Sequence, residues 1–143
     1  MAGNLLNLAD RIAKLNGRIQ TAASETAKDV AIAVVTDLAN KTPVDTSNAL
    51  SNWQVTLDEP ATQEIKPYFP GYMGSTQRAS AAQTINEGRS ALGRKKPGQK
   101  IYITNNAPYI RALNNGSSKQ EPAGFVERAA LIGRIIARKF KVK

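Results

Sequence analysis

The chain contains no cysteine and no histidine. The first absence removes disulfides, thiolate nucleophiles and thiolate-based zinc or iron–sulfur sites. It also leaves the chain indifferent to the redox state of its surroundings. The second removes the usual general base, the commonest metal ligand and the side chain that titrates near neutrality. A Ser–His–Asp triad is impossible, and any catalysis would have to run on Asp, Glu, Lys, Ser or Tyr. These gaps point away from an enzyme and imply no cofactor. Aromatic residues are few, with a single Trp53. No apolar run approaches the roughly twenty residues of a membrane span, so no membrane partner is expected. The opening MAGNLLNLADRIAK lacks the basic-then-apolar order of a signal peptide.

What is present describes a folded chain. Its 143 residues suit one domain and can bury a core without staples. Hydrophobic content of 41% with 22% charged residues excludes wholesale disorder. The net charge of +9 is unevenly placed: residues 1–75 carry a net −2 and residues 76–143 a net +11. The basic side chains gather at Arg89, Arg94, Lys95, Lys96 and Lys100, and again at Arg134, Arg138, Lys139, Lys141 and Lys143. Such clusters suit nucleic acid, an acidic protein neighbour, or simply a solvated face with helix C-terminal cations.

The pattern of apolar residues sets the architecture. Between residues 5 and 40 there is no proline, and Leu5, Leu8, Ile12, Leu15 and Ile19 recur at spacings of three and four, followed by small alanines and then Val30, Val34 and Leu38. That spacing predicts a helix over residues 1–41, ended by Thr42-Pro43. Over residues 5–40 alone the helix would be about 54 Å long, whereas a domain of this size is about 40 Å across. The helix therefore overhangs its domain or breaks near Gly17 and folds back. An overhanging apolar stripe needs cover from another chain, so Leu5, Leu8, Ile12, Leu15 and Ile19 are candidate oligomer contacts.

Residues 44–50 read as a turn or short helix. Trp53, Val55 and Leu57 alternate with polar neighbours, as on a half-buried strand, with Trp53 a core anchor. Residues 58–75 hold three prolines and three aromatics, Tyr68, Phe69 and Tyr72. They read as a mobile contact loop, or as an Ω-loop packed by its own aromatics. A thin helix over 76–92, with Ala79, Ala82, Ile85 and Leu92 on one face, ends at Gly93. A short strand over 100–104 precedes a helix over 109–113, with Pro108 in its first turn, Asn105 or Asn106 as cap, and a stop at Asn114-Asn115-Gly116. Tyr109 and Leu113 lie one turn apart. Pro122 opens the last helix, with Phe125, Ala129, Ile132, Ile136 and Phe140 as its stripe, and residues 134–143 form a basic tail.

The search for chemistry yields little. Asp45 with Glu64-Ile65-Lys66 loosely follows the carboxylate and acid–x–lysine pattern of metal nucleases, but Pro67 follows at once and the segment reads as loop rather than strand, so that activity is not expected. No phosphate-cradling glycine motif occurs.

Several stretches resemble one family: TPVDTSNALSNWQV (42–55), YFPGYMGSTQRASAAQTINEGRSAL (68–92) and IYITNNAPYIRALNNGSSKQEPAGFVERA (101–129), in that order after the long helix. They are similar to the tailed-phage neck proteins, also called tail-completion or head-to-tail joining proteins. The resemblance covers nearly the whole chain. Glu121 departs from it, where a small residue is expected before Pro-Ala-Gly, and the basic tail lies outside it. It implies an α+β domain with a long N-terminal helix, a small mainly antiparallel sheet and helices packed on it. It implies a virion protein made in the host cytoplasm, assembled as a homo-oligomeric ring, usually of six and alternatively of twelve. The ring's partners would be the head-side connector or portal adaptor and the tail terminator or tail tube. DNA would pass through its channel without sequence-specific binding. Trp53, Asn106, Pro108, Tyr109, Leu113 and Gly116 are then fold-defining motif residues. Tyr68, Phe69, Tyr72, Arg138, Lys139, Lys141 and Lys143 are expected contacts to neighbouring rings, with the tail meeting protein rather than DNA. The alternative reading is a basic nucleic-acid-binding protein.

Overall fold

A computed structural model describes residues 2–142. The order is α1 (Ala2–Lys41), α2 (Asn48–Ser51), β1 (Trp53–Leu57), α3 (Gln77–Gly93), β2 (Ile101–Asn105), α4 (Ile110–Asn114) and α5 (Phe125–Ala137). This is a mixed α+β fold, with the long helix, a two-stranded antiparallel sheet and further helices packed against them.

The 40 residues of α1 make a rod about 60 Å long. Gly17 does not break it. A helix-interior glycine costs only about 1 kcal/mol relative to alanine, too little to end a helix flanked by good formers. Termination comes at Thr42, whose backbone N–H and side-chain hydroxyl both bond to the Leu38 carbonyl, at 2.9 and 2.6 Å. Pro43 follows and cannot continue the ladder.

Only the C-terminal half of α1 joins the body. From Ser24 onward it buries Ala31, Val35, Leu38 and Ala39, whereas residues 4–21 are all exposed. α5 crosses α1 closely because Gly133 lies against Val30 and Val34, where even a Cβ would meet Val34 Cγ2 at 2.8 Å. α3 approaches through Gly88, set between Val35 and Val55.

The sheet pairs Trp53 with Asn105, Val55 with Ile103 and Leu57 with Ile101. Period-two alternation puts these on one face, which packs on α1, α3 and α5. One core cluster joins Leu38, Trp53, Phe125 and Ala129; a second joins Ala39, Val44, Leu50 and Ala81. Trp53 is thus the core anchor its strand position suggests. Its indole N–H donates to Thr42 Oγ1 at 2.7 Å, and the Thr42 hydroxyl in turn donates to the Leu38 carbonyl.

Three sequence expectations shift. α3 turns a different face inward: Ser80, Ala81, Thr84, Gly88, Ala91 and Leu92 are buried, while Ala79 and Ala82 are exposed. The helix packs through small residues, and its buried hydroxyls are satisfied by backbone, Thr84 by Leu50 and Ser80 by Phe69. α5 begins at Phe125 rather than Pro122, because Gly124 adopts a left-handed conformation with φ 87°. α4 begins at Ile110, one residue after the expected start, and has no side-chain cap.

Candidate assembly surfaces

Four surfaces carry the candidate residues. The first is the N-terminal arm of α1. Leu5, Leu8, Ile12, Leu15 and Ile19 are 70%, 53%, 59%, 49% and 40% exposed, and Leu6 is 72% exposed. Their helical spacing aligns them along one side. A stripe of this length left in water is unfavourable in proportion to its apolar area.

The second is the loop 58–75. Its backbone is tied to the body at many points. Asn52 exchanges two hydrogen bonds with Ile65, at 2.8 and 3.0 Å. Ser51 receives the Tyr68 N–H, and the Asp45 carboxylate receives that of Met73 at 2.7 Å. Gln54 bonds the Gln63 carbonyl, across the solvent face of the sheet. Tyr68 is half-buried, and burial, then the nearby Glu87 carboxylate, raises its phenol above the ordinary value. Phe69, Tyr72 and Met73 project outward at 44%, 73% and 78% exposure. The loop therefore presents an apolar tip from a tethered base.

The third is the motif stretch after β2, which proves to be a set of tethers. Asn105 bonds the Ala49 carbonyl and accepts the Ala107 N–H. Asn106 holds loop residues Ala61 and Gln63 rather than capping α4, which corrects the expected cap. Pro108 is exposed in the turn before α4. Tyr109 Oη accepts from Asn48 Nδ2, which also reaches Glu64. Leu113 packs on the Trp53 cluster. Tyr109 and Leu113 line one cavity of about 370 Å³. Gly116 takes φ 95°, a position that side chains disfavour.

Further tethers were not foreseen. Asn114 Oδ1 accepts the Val126 N–H and so caps α5, while its Nδ2 holds the Glu127 carboxylate at 3.0 Å. That hydrogen bond is the leading reason the Glu127 carboxyl is held below its ordinary value. Gln120 brackets Val44, accepting its N–H and donating to its carbonyl. Glu121, the departure from the family pattern, pairs with Arg128 at 2.9 Å. The partners of Asn114 and Gln120 lie 12 to 76 residues away in sequence, so composition and local spacing gave no signal for them.

The fourth surface is basic. Arg134 lies on α5, and Arg138, Lys139 and Lys141 follow on its exposed end; Lys143 lies outside the described residues. The tail folds back along α1. Phe140 shares a groove of about 730 Å³ with Ala23, Ala27, Val30, Ile101 and Ile103, and Lys141 lines a second groove with Lys14 and Arg18 and with the carboxylates Glu25 and Asp29. The other cluster loses a member: Lys95 is buried, donating to Ser24 Oγ at 2.8 Å and to the Lys96 carbonyl. It bonds the root of the arm to the turn after α3 instead of facing a partner.

Asp45 and Glu64 are both engaged as hydrogen-bond acceptors by the tethers above. Among the described residues no group of three or more His, Cys, Asp or Glu is placed to hold a metal. No helix there is long and apolar enough to cross a membrane. The chain matches no known family, curated protein or solved structure.

Proposed function

We propose that this chain is a structural subunit of a ring in the neck of a tailed phage, joining the head connector to the tail and leaving an axial channel for DNA. The observation that carries the proposal is the arm: about half of a 40-residue helix projects from the body with its apolar stripe uncovered. A chain built this way is completed by copies of itself. The stretches that resemble neck proteins support the same reading, because Trp53, Asn106, Leu113 and Gly116 all hold the body together and leave the arm, the aromatic loop tip and the basic tail for contacts.

In this mechanism the subunit is an adaptor. Copies associate through the arm and the body into a closed ring, in which each subunit presents one patch to the next. Phe69 and Tyr72 on one loop and the cations Arg138, Lys139 and Lys141 reach the neighbouring rings, with Tyr68 fixing the loop beneath. An acidic face on a neighbour would be steered to the tail.

Disrupting the gene tests this. Full heads and complete tails should accumulate unjoined, and the intact chain supplied in trans should restore joined particles. Normal infectious particles without the chain would overturn the proposal.

A further inference from the structure

We infer that the arms of two copies pair side by side, parallel and in register, as a short two-stranded coiled coil. This pairing deepens the self-assembly proposed above and rests on it for the identity of the partner, a second copy of this chain.

The residues of the arm fall on a seven-residue repeat. Leu5, Ile12 and Ile19 occupy one core position, and Leu8 and Leu15 the other. All five are exposed. Isoleucine at two of the three first positions with leucine at both second positions is close to the combination that favours two parallel strands. The seam ends where side chains shrink to Ala22 and Thr26, at the level where the body takes over. On the far side of the helix lie Asp10, Gly17 and Ser24, and Ser24 is the residue bonded to Lys95. The Ser24–Lys95 contact therefore lies away from the seam, whose own side is covered by α5 and the tail only from about Ala22 onward, through Ala23, Thr26, Val30 and Val34.

Charge decides the direction. In a parallel pair, Asn4, Arg11 and Arg18 flank the seam and face Ala9, Asn16 and Ala23 of the second copy, five residues further on. No like charges meet. Stacking the same apolar layers antiparallel places Arg11 opposite Arg18 of the second copy, twice, which is repulsive. In a ring of six or twelve the bodies meet patch to next patch while the arms pair two by two, and rotation about one axis keeps arms lying along that axis parallel.

The arm is also prepared for pairing. A free helix of this length is marginal because nucleation is unfavourable. Here the anchored half of α1 supplies the nucleus, and Lys95 fixes its root.

The absence of native cysteine allows a direct test. The full-length Leu8→Cys variant, oxidised in solution, should shift from 15.4 kDa to twice that mass on a non-reducing gel. Asp10→Cys, on the far side, should not. Leu8→Cys mixed with a mass-tagged Ile19→Cys chain should give no mixed dimer, since those positions meet only in an antiparallel pair. Both sites are exposed in the single chain, so the body folds in each variant, which circular dichroism verifies. Failure of Leu8→Cys to cross-link, or a dominant mixed dimer, would overturn the pairing. Cross-linking by a chain absent from phage particles would keep the pairing and remove the ring; a chain present in ring numbers whose Leu8→Cys variant stays uncross-linked would do the reverse.

Discussion

Gly133→Ala is the sharpest perturbation of the body, because two opposing terms are both legible. In a helix interior, alanine is better than glycine by about 1 kcal/mol. Against this, the new Cβ would lie 2.8 Å from Val34 Cγ2 and 3.2 Å from Val30 Cγ1. Valine in a helix has one strongly preferred rotamer, so neither methyl can swing aside and α1 and α5 must separate. Overpacking of this kind costs about 1–3 kcal/mol. The net expectation is a loss of about 0–2 kcal/mol, a melting temperature lower by several degrees. The control is Gly93→Ala, in the last turn of α3, where nothing lies within 4 Å of the added methyl. It should stabilise by about 0.4–1 kcal/mol. Urea denaturation of the two variants beside the parent chain gives both values. Stabilisation by Gly133→Ala equal to that of Gly93→Ala would refute the close crossing of α1 and α5.

Other expectations follow from single contacts. Thr42→Val strands the Trp53 indole N–H in the core and should cost about 1–3 kcal/mol in denaturation. Thr104 Oγ1 is buried without a hydrogen bond, so Thr104→Val should be neutral or stabilising by about 1 kcal/mol; a clear loss would mean the hydroxyl has a partner. The Glu127 carboxyl, held low first by Asn114, should titrate below the ordinary glutamate range by NMR, and Asn114→Ala should return it towards normal. Because the folded value is depressed, its stabilising effect is present above the unfolded glutamate pKa of about 4.3 and lost as pH falls through the folded value. Ile12→Asp in the arm should abolish concentration-dependent association in sedimentation while leaving the melting temperature of the body unchanged.

The sequence made the long helix and its overhang legible because periodicity and chain length are enough to decide them. Leu5 to Ile19 repeat over about four turns, and no plausible body of 143 residues covers the whole rod they belong to. Trp53 was equally readable from alternation. The inward face of α3 was not, since its contacts are glycine, alanine and hydroxyl side chains that carry little hydrophobic signal. Gly133 was missed on α5 for the same reason: a close crossing needs the absence of a side chain, which an apolar stripe does not register. Asn106 and Lys95 were misassigned because their partners, Ala61 and Ser24, are 45 and 71 residues away. Local capping rules and charge clustering see neither.

The central claim is that this chain is a subunit of a ring in the phage neck. Counting its copies per particle by quantitative mass spectrometry of purified phage, against a capsid protein of known number, tests that claim most directly. Six copies per particle are expected, or twelve for the larger ring. Absence of the chain from joined particles, or a number unrelated to a closed ring, would contradict it.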